Sequence, residues 1–246
     1  SNLLLNKREA LIFRSISVFR DIDPNLQSLG LETDPDYNVF NAKYYNTTNN
    51  IINYLSWSVD AQYSDKFTKL AYELEYRKLF ENNRQFNLRF FAGKFLRNET
   101  AGSTEFFSFA LDRPTDYLFD YDYLGRSEGS GIYSQQIIVA EGGFKSKLEN
   151  PFANDWMATI NTSVNIWRWI ELYGDMGFIK NKGLKERFVY DSGIRLNLLT
   201  DYFELYLPLY SNNGWEISQT QYDQKIRFVI TFSPRTLTGL FTRKWF

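Results

Sequence analysis

Leu70, Tyr72, Leu74 and Tyr76 alternate with Ala71, Glu73, Glu75 and Arg77. Neighbouring side chains of an extended strand point to opposite faces, so this run makes one apolar face and one ionic face. The alternation recurs along most of the chain. It predicts a strand over 38–45 with Phe40, Ala42 and Tyr44 on one face. A second, over 51–63, sets Ile51, Leu55, Trp57, Val59, Ala61 and Tyr63 against Ser56, Ser58, Asp60 and Gln62. Further strands are expected at 68–78, 85–95, 106–111, 131–144, 156–166, 170–178, 188–198, 202–209 and 225–232. Residues 10–20 fit either period, since Ile12, Ile16 and Phe19 suit a helix while Ile16 and Val18 suit a strand.

Turn chemistry punctuates the series at Thr47–Asn50, Ser64-Asp65-Lys66, Glu81-Asn82-Asn83 and Leu199-Thr200-Asp201. A tight turn is also expected at Trp167-Arg168-Trp169, and short turns alternate with long connections such as Asn212–Asp223. The ending differs. Ser233-Pro234 is an N-cap with proline at the first helical position, and Leu237, Leu240, Phe241 and Trp245 follow at helical spacing. The reading is one domain over 1–246: a lead-in of undecided structure (1–37), strands (38–232) and a short amphipathic helix (233–246).

Which face is buried decides the class of fold. A lipocalin-like barrel or a β-sandwich also alternates, with its apolar face inside. Strands such as 51–63 and 68–78 reach the ~9–11 residues that cross a bilayer, and the apolar face is repeatedly aromatic. The expectation is therefore an all-β transmembrane antiparallel barrel of roughly 10–12 strands, with lipid outside and a polar lumen. Glu73, Glu75, Arg77 and Arg89, with Asp191, Arg195, Glu204 and Arg227, are then the lumen charges. Opposite signs interleave among them, so the expected interior is salt-bridged and closed, since small barrels fill themselves with side chains. Trp57, Trp156, Trp167, Trp169 and Trp245 read as interfacial aromatics. The stretch 112–123 is acidic and aromatic. Asp112, Arg113, Asp116, Asp120 and Asp122 suggest an ordered loop or plug, or else a calcium or carbohydrate site, though no EF-hand spacing is present. Trp215, in its long connection, offers a second place for sugar stacking.

Composition narrows the chemistry. Aromatics are 18% of the chain, yet mean hydropathy is -0.41, a value that suits a soluble protein and equally a membrane barrel with half its strand residues in a wet lumen. The net charge of -1 makes no electrostatic case for nucleic acid. With no His and no Cys, there is no histidine general base, no Ser-His dyad, no thiol nucleophile and no His- or Cys-ligated zinc. No catalytic residue, cofactor or metal site is expected. The chain opens Ser1-Asn2-Leu3, without Met or a signal region, which suggests a processed chain or a piece of something longer.

Residues 107–126 (FSFALDRPTDYLFDYDYLGR), 188–215 (FVYDSGIRLNLLTDYFELYLPLYSNNGW) and 226–246 (IRFVITFSPRTLTGLFTRKWF) resemble the C-terminal outer-membrane barrel region of large Bacteroidota surface proteins. Some of those resemble aminopeptidase-type metallopeptidases. That resemblance implies an anchor in the bacterial outer membrane, with lipid around it and a catalytic domain upstream or other outer-membrane proteins as partners. The peptidases carry an HExxH zinc helix in a separate domain; this chain has no histidine, so no catalytic residue carries over. The alternative function is a channel or transport barrel for small solutes.

Overall fold

The computed structural model describes residues 6–19, 36–50, 52–81, 84–101, 106–121, 131–199 and 203–230. They are all-β, built on one large antiparallel sheet. Its long strands are β1 (Lys7–Val18), β2 (Tyr37–Asn49), β3 (Asn53–Tyr63), β4 (Phe67–Leu79) and β5 (Gln85–Asn98). After an excursion holding β6 (Phe109–Ala110) and β7 (Phe152–Ala153), the sheet resumes with β8 (Trp156–Trp167), β9 (Ile170–Lys180), β10 (Arg187–Leu199) and β11 (Phe203–Ser211). Two short pieces, β12 (Gly214–Trp215) and β13 (Arg227–Ile230), both pair with β11. Every strand of the sheet pairs with its neighbour along the chain, except that β5 pairs with β8 across the excursion and β13 returns to β11 past β12.

The undecided stretch 10–20 is strand as far as Val18. Lys7–Val18 pairs residue for residue with Tyr37–Thr48, which satisfies its backbone in a way an isolated amphipathic helix there would not. One end of the sheet carries short connections throughout: Asn49 to Asn53, Leu79 to Gln85, Trp167 to Ile170 and Leu199 to Phe203. The other end carries the long ones, Asn98 to Trp156, Ser211 to Arg227 and Val18 to Tyr37, together with the short turn from Tyr63 to Phe67 and the connection from Lys180 to Arg187. The expected Trp167–Trp169 turn is present, with Arg168 at φ 42.

Two expected strands are corrected. Of 106–111 only Phe109–Ala110 is strand, and it pairs with Phe152–Ala153 in a separate two-stranded sheet. Residues 131–144 form no strand of the large sheet. They begin with a 3-10 turn at Ile132–Gln135 and continue as extended chain bonded piecemeal. Ile137 N–H donates to the Phe228 carbonyl, Gly142 N–H to that of Ala110 and Phe144 N–H to that of Leu111. This chain segment lies on the sheet instead of extending it. Closure of the sheet into a barrel is not found among the described residues: β1 pairs with β2 alone, and β13 pairs with β11. The expected helix over 233–246 falls outside the described residues.

Residues 106–121 and 131–153 cover one face of the sheet. Phe107, Phe109, Leu111, Tyr117, Phe144 and Leu148 pack there on Tyr37, Val39, Phe67, Phe95, Met157 and Ile179, near the end with the long connections. Gly93 lets this happen: a Cβ there would sit 2.6 Å from the Phe109 ring. Gly143 is needed twice over, for its φ of +75 and because a Cβ would stand 2.4 Å from the Asn161 amide oxygen.

Candidate functional site: the covered face of the sheet

The alternation in the sequence places polar side chains on the covered face and apolar ones on the bare face. In β8, Thr159, Asn161, Ser163 and Asn165 are 1–8% exposed, whereas Ile160, Val164 and Ile166 are 39–40% exposed. The same inversion holds on β9, where Glu171, Tyr173 and Asp175 are buried while Leu172, Met176 and Phe178 are exposed. Burying ionic groups is expensive unless they are paired, so their bonds explain the face's architecture.

Four ionic clusters tie the 106–153 segment and the sheet together. First, the Lys145 ammonium donates to Asp175 at 2.9 and 3.1 Å, and the backbone N–H groups of Lys145 and Ser146 donate to Asp191 Oδ2 at 3.0 and 2.6 Å. Second, Arg89 pairs with Glu73 at 2.6 Å and also donates to the Glu141 carbonyl and to Asn161. Third, Arg14 makes a bidentate pair with Asp120 at 2.6 and 2.9 Å, while its Nε donates to Asn41, which in turn donates to Asp60. Fourth, Lys69 stands 3.8 Å from Glu141 and 5.0 Å from the ring centroids of both Phe109 and Tyr117. The Tyr117 hydroxyl donates to Gln62 at 2.7 Å, and burial beside Glu141 and Asp60 keeps this phenol well above its ordinary pKa.

A fifth cluster lies toward the short-turn end. Arg195 pairs with Glu171 at 3.0 Å and with Glu204, which also accepts from Tyr206. Glu171 further accepts from Ser163 at 3.0 Å.

The eight charges expected on one face are therefore on it. Glu73, Arg89, Arg195 and Glu204 pair among themselves as two bridges, and Asp191 binds backbone N–H groups. Arg227 reaches the Ser134 carbonyl at 3.3 Å. Glu75 and Arg77 make no ion pair with a described residue; Arg77 lies 5.6 Å from the Tyr54 ring. Of the acidic stretch, Asp116 accepts from the backbone N–H groups of Asp120 and Tyr121, folding the turn that aims Asp120 at Arg14. Among the described residues no acidic group gathers into a metal site, and Asp122 lies outside them. Asp112 is buried with neither carboxylate oxygen hydrogen-bonded, and burial raises its pKa to about 6 against the pull of Arg113 and Arg227.

The sequence reading missed Lys69, Glu141, Lys145, Glu171, Asp175 and Arg14. Glu171 and Asp175 alternate with Leu172 and could have been found by the same rule; Lys145 could not, because it belongs to no strand.

Two cavities remain between the segment and the sheet. One of about 290 Å³ is lined by Arg14, Asp60, Lys69, Glu73 and Asp120; the other, about 300 Å³, by Glu75, Asn87, Lys145, Arg195 and Tyr206. Arg89 and Val139 border both and separate them. On the bare face the aromatic rings form two ladders. Phe178, Phe188, Tyr190, Tyr210 and Trp215 follow one another at centroid spacings of 5.2, 5.9, 5.6 and 5.2 Å. Tyr44, Trp57, Tyr72 and Phe90 make the second. Trp167 and Trp169 are exposed beside the turn between β8 and β9, Trp156 is partly exposed at the opposite end of β8, and Trp245 lies outside the described residues. Comparison with protein-family models, with curated proteins and with solved structures gives no match.

Proposed function

We propose that the chain is a transmembrane β-barrel of a bacterial outer membrane, closed inside by its own residues 106–121 and 131–153, that anchors a larger surface protein or assembly. The observation that carries this reading is the inverted sheet: ion pairs on the covered face, and leucines, isoleucines and phenylalanines bare on the other. In water such a bare face would be a large aggregation-prone surface; in a bilayer it is the correct one. Strands of 11 to 14 residues are long enough for the ~9–11 that span tilted at 45°. The aromatic ladders fit interfacial belts. Closure of β13 on β1 belongs to this proposal. In it, the end with the short turns faces the periplasm and the end with the long connections faces outward.

The anchoring role is favoured over transport by the filled interior. Arg89 and its bonds to Glu73, Glu141 and Asn161 cross the space a solute would need, and the two cavities on either side are each far smaller than a porin channel. The purified chain is expected to need detergent, to migrate faster on gels unheated than boiled, and to give little steady conductance in planar bilayers. A monodisperse protein free of detergent contradicts the membrane reading. Large, stable openings contradict the closed interior and favour the channel.

A further inference from the structure

A third cavity, of about 250 Å³, lies apart from the two above, between the 106–153 segment and the stretch that joins β12 to β13. Four cations line it, Arg113, Lys147, Lys225 and Arg227, against a single carboxylate, Glu216. Glu216 is already committed, since it accepts from Lys225 and from Ser211. The other three cations form no ion pair with any described residue, although Arg227 is 97% buried as judged by its 3% exposure. A guanidinium carries five N–H donors in a planar fork, and among the described residues Arg227 makes one hydrogen bond, at 3.3 Å to the Ser134 carbonyl. Behind them Asp112 supplies one buried negative charge but bonds to neither arginine. The Ser146 hydroxyl, also buried and lining the cavity, has no hydrogen-bond partner. Unmet guanidinium and hydroxyl donors around one space are complementary to an oxyanion, and planar forks favour phosphate.

We propose that this cavity binds a small phosphorylated molecule, its phosphate held by Arg113 and Arg227 with Lys147 and Ser146 at its rim. The volume suits a phosphate or a phosphomonoester of a small polar body, and the site's chemistry is independent of whether the sheet is a membrane barrel. Phosphate has two sources here, a free solute or a lipid headgroup, which experiment separates.

Calorimetry on the detergent-solubilised full chain, titrated with inorganic phosphate, a hexose phosphate, the unphosphorylated hexose and a diphosphorylated glycolipid in mixed micelles, tests this. Phosphate and hexose phosphate are expected to bind and the neutral hexose not to. Heat only from the glycolipid keeps the site and assigns its ligand to the membrane. Arg113→Gln is expected to weaken binding by about tenfold or more, as loss of a charge-assisted fork does. Asp112→Asn, which removes the one competing charge, is expected to tighten it severalfold, and Arg77→Gln, far from the cavity, to leave it unchanged. Arg227→Lys keeps the buried charge for folding but loses the fork, so it too is expected to weaken binding. No heat from any phosphate-bearing ligand overturns the proposal. So does binding that Arg113→Gln and Asp112→Asn leave unaltered in protein of normal gel behaviour.

Discussion

Lys145→Met is expected to release the 106–153 segment from the sheet and open it to chymotrypsin. The reason is a pair of carboxylates on adjacent strands. Asp175 and Asp191 stand directly opposite each other in the β9–β10 register, both essentially fully buried. Like charges so placed repel. Lys145 relieves this in two ways: its ammonium neutralises Asp175, while its backbone N–H and that of Ser146 bind Asp191. Removing the one ammonium leaves a buried carboxylate uncompensated, a loss of about 3–5 kcal/mol. That corresponds to a docked population lower by roughly two to three and a half orders of magnitude. Phe107, Phe109, Tyr117 and Phe144 then become cleavage sites. The double change Lys145→Met with Asp175→Asn removes both partners and is expected to restore most of the protection, because the substituted pair is neutral and Asp191 keeps its two backbone N–H donors. Protection unaltered in the single variant would show that apolar packing alone holds the segment.

The second large effect concerns the bare face. Met176 lies midway along β9 and points away from the covered face, as its exposed side chain shows. In a bilayer, Met176→Arg places a guanidinium near the midplane, at a cost of about 2–4 kcal/mol. In water the same change at an exposed position is expected to stay within about 0.5 kcal/mol. Leu184, more exposed still but in the connection between β9 and β10, is the internal control, and Leu184→Arg is expected to be neutral in either setting. Urea unfolding from lipid vesicles reads both. Equal and small effects at the two positions contradict a lipid-facing β9.

Most of the sheet was legible in the sequence because period 2 is a property of the strand backbone itself. Residues 68–78 announce β4 within a residue at either end, and 188–198 announce β10 as closely. The faces were legible too, since Ser56, Ser58, Asp60 and Gln62 all turn to the covered side. What failed was the segment over that side. Phe106–Leu111 and the run to Phe144 carry β-forming residues, but their backbone bonds go to scattered partners on one another and on β13. Local pattern cannot tell an extended chain lying on a sheet from a strand within it, because the difference is made by contacts distant in sequence. The same distance hid the ion pairs. Arg14 and Asp120, or Lys145 and Asp175, become neighbours only when the segment folds back, and no spacing rule links them.

The central claim is that β9 carries lipid on one side and a filled polar interior on the other. A nitroxide placed in turn at residues 170 to 178, in full chain folded into vesicles, tests it most directly through collision with oxygen, which dissolves in lipid. A lipid-facing β9 gives alternation, with high oxygen accessibility at Ile170, Leu172, Gly174, Met176 and Phe178 and low accessibility at Glu171, Tyr173, Asp175 and Gly177. Labels at the even positions that meet a water-soluble nickel complex more readily than oxygen would contradict it.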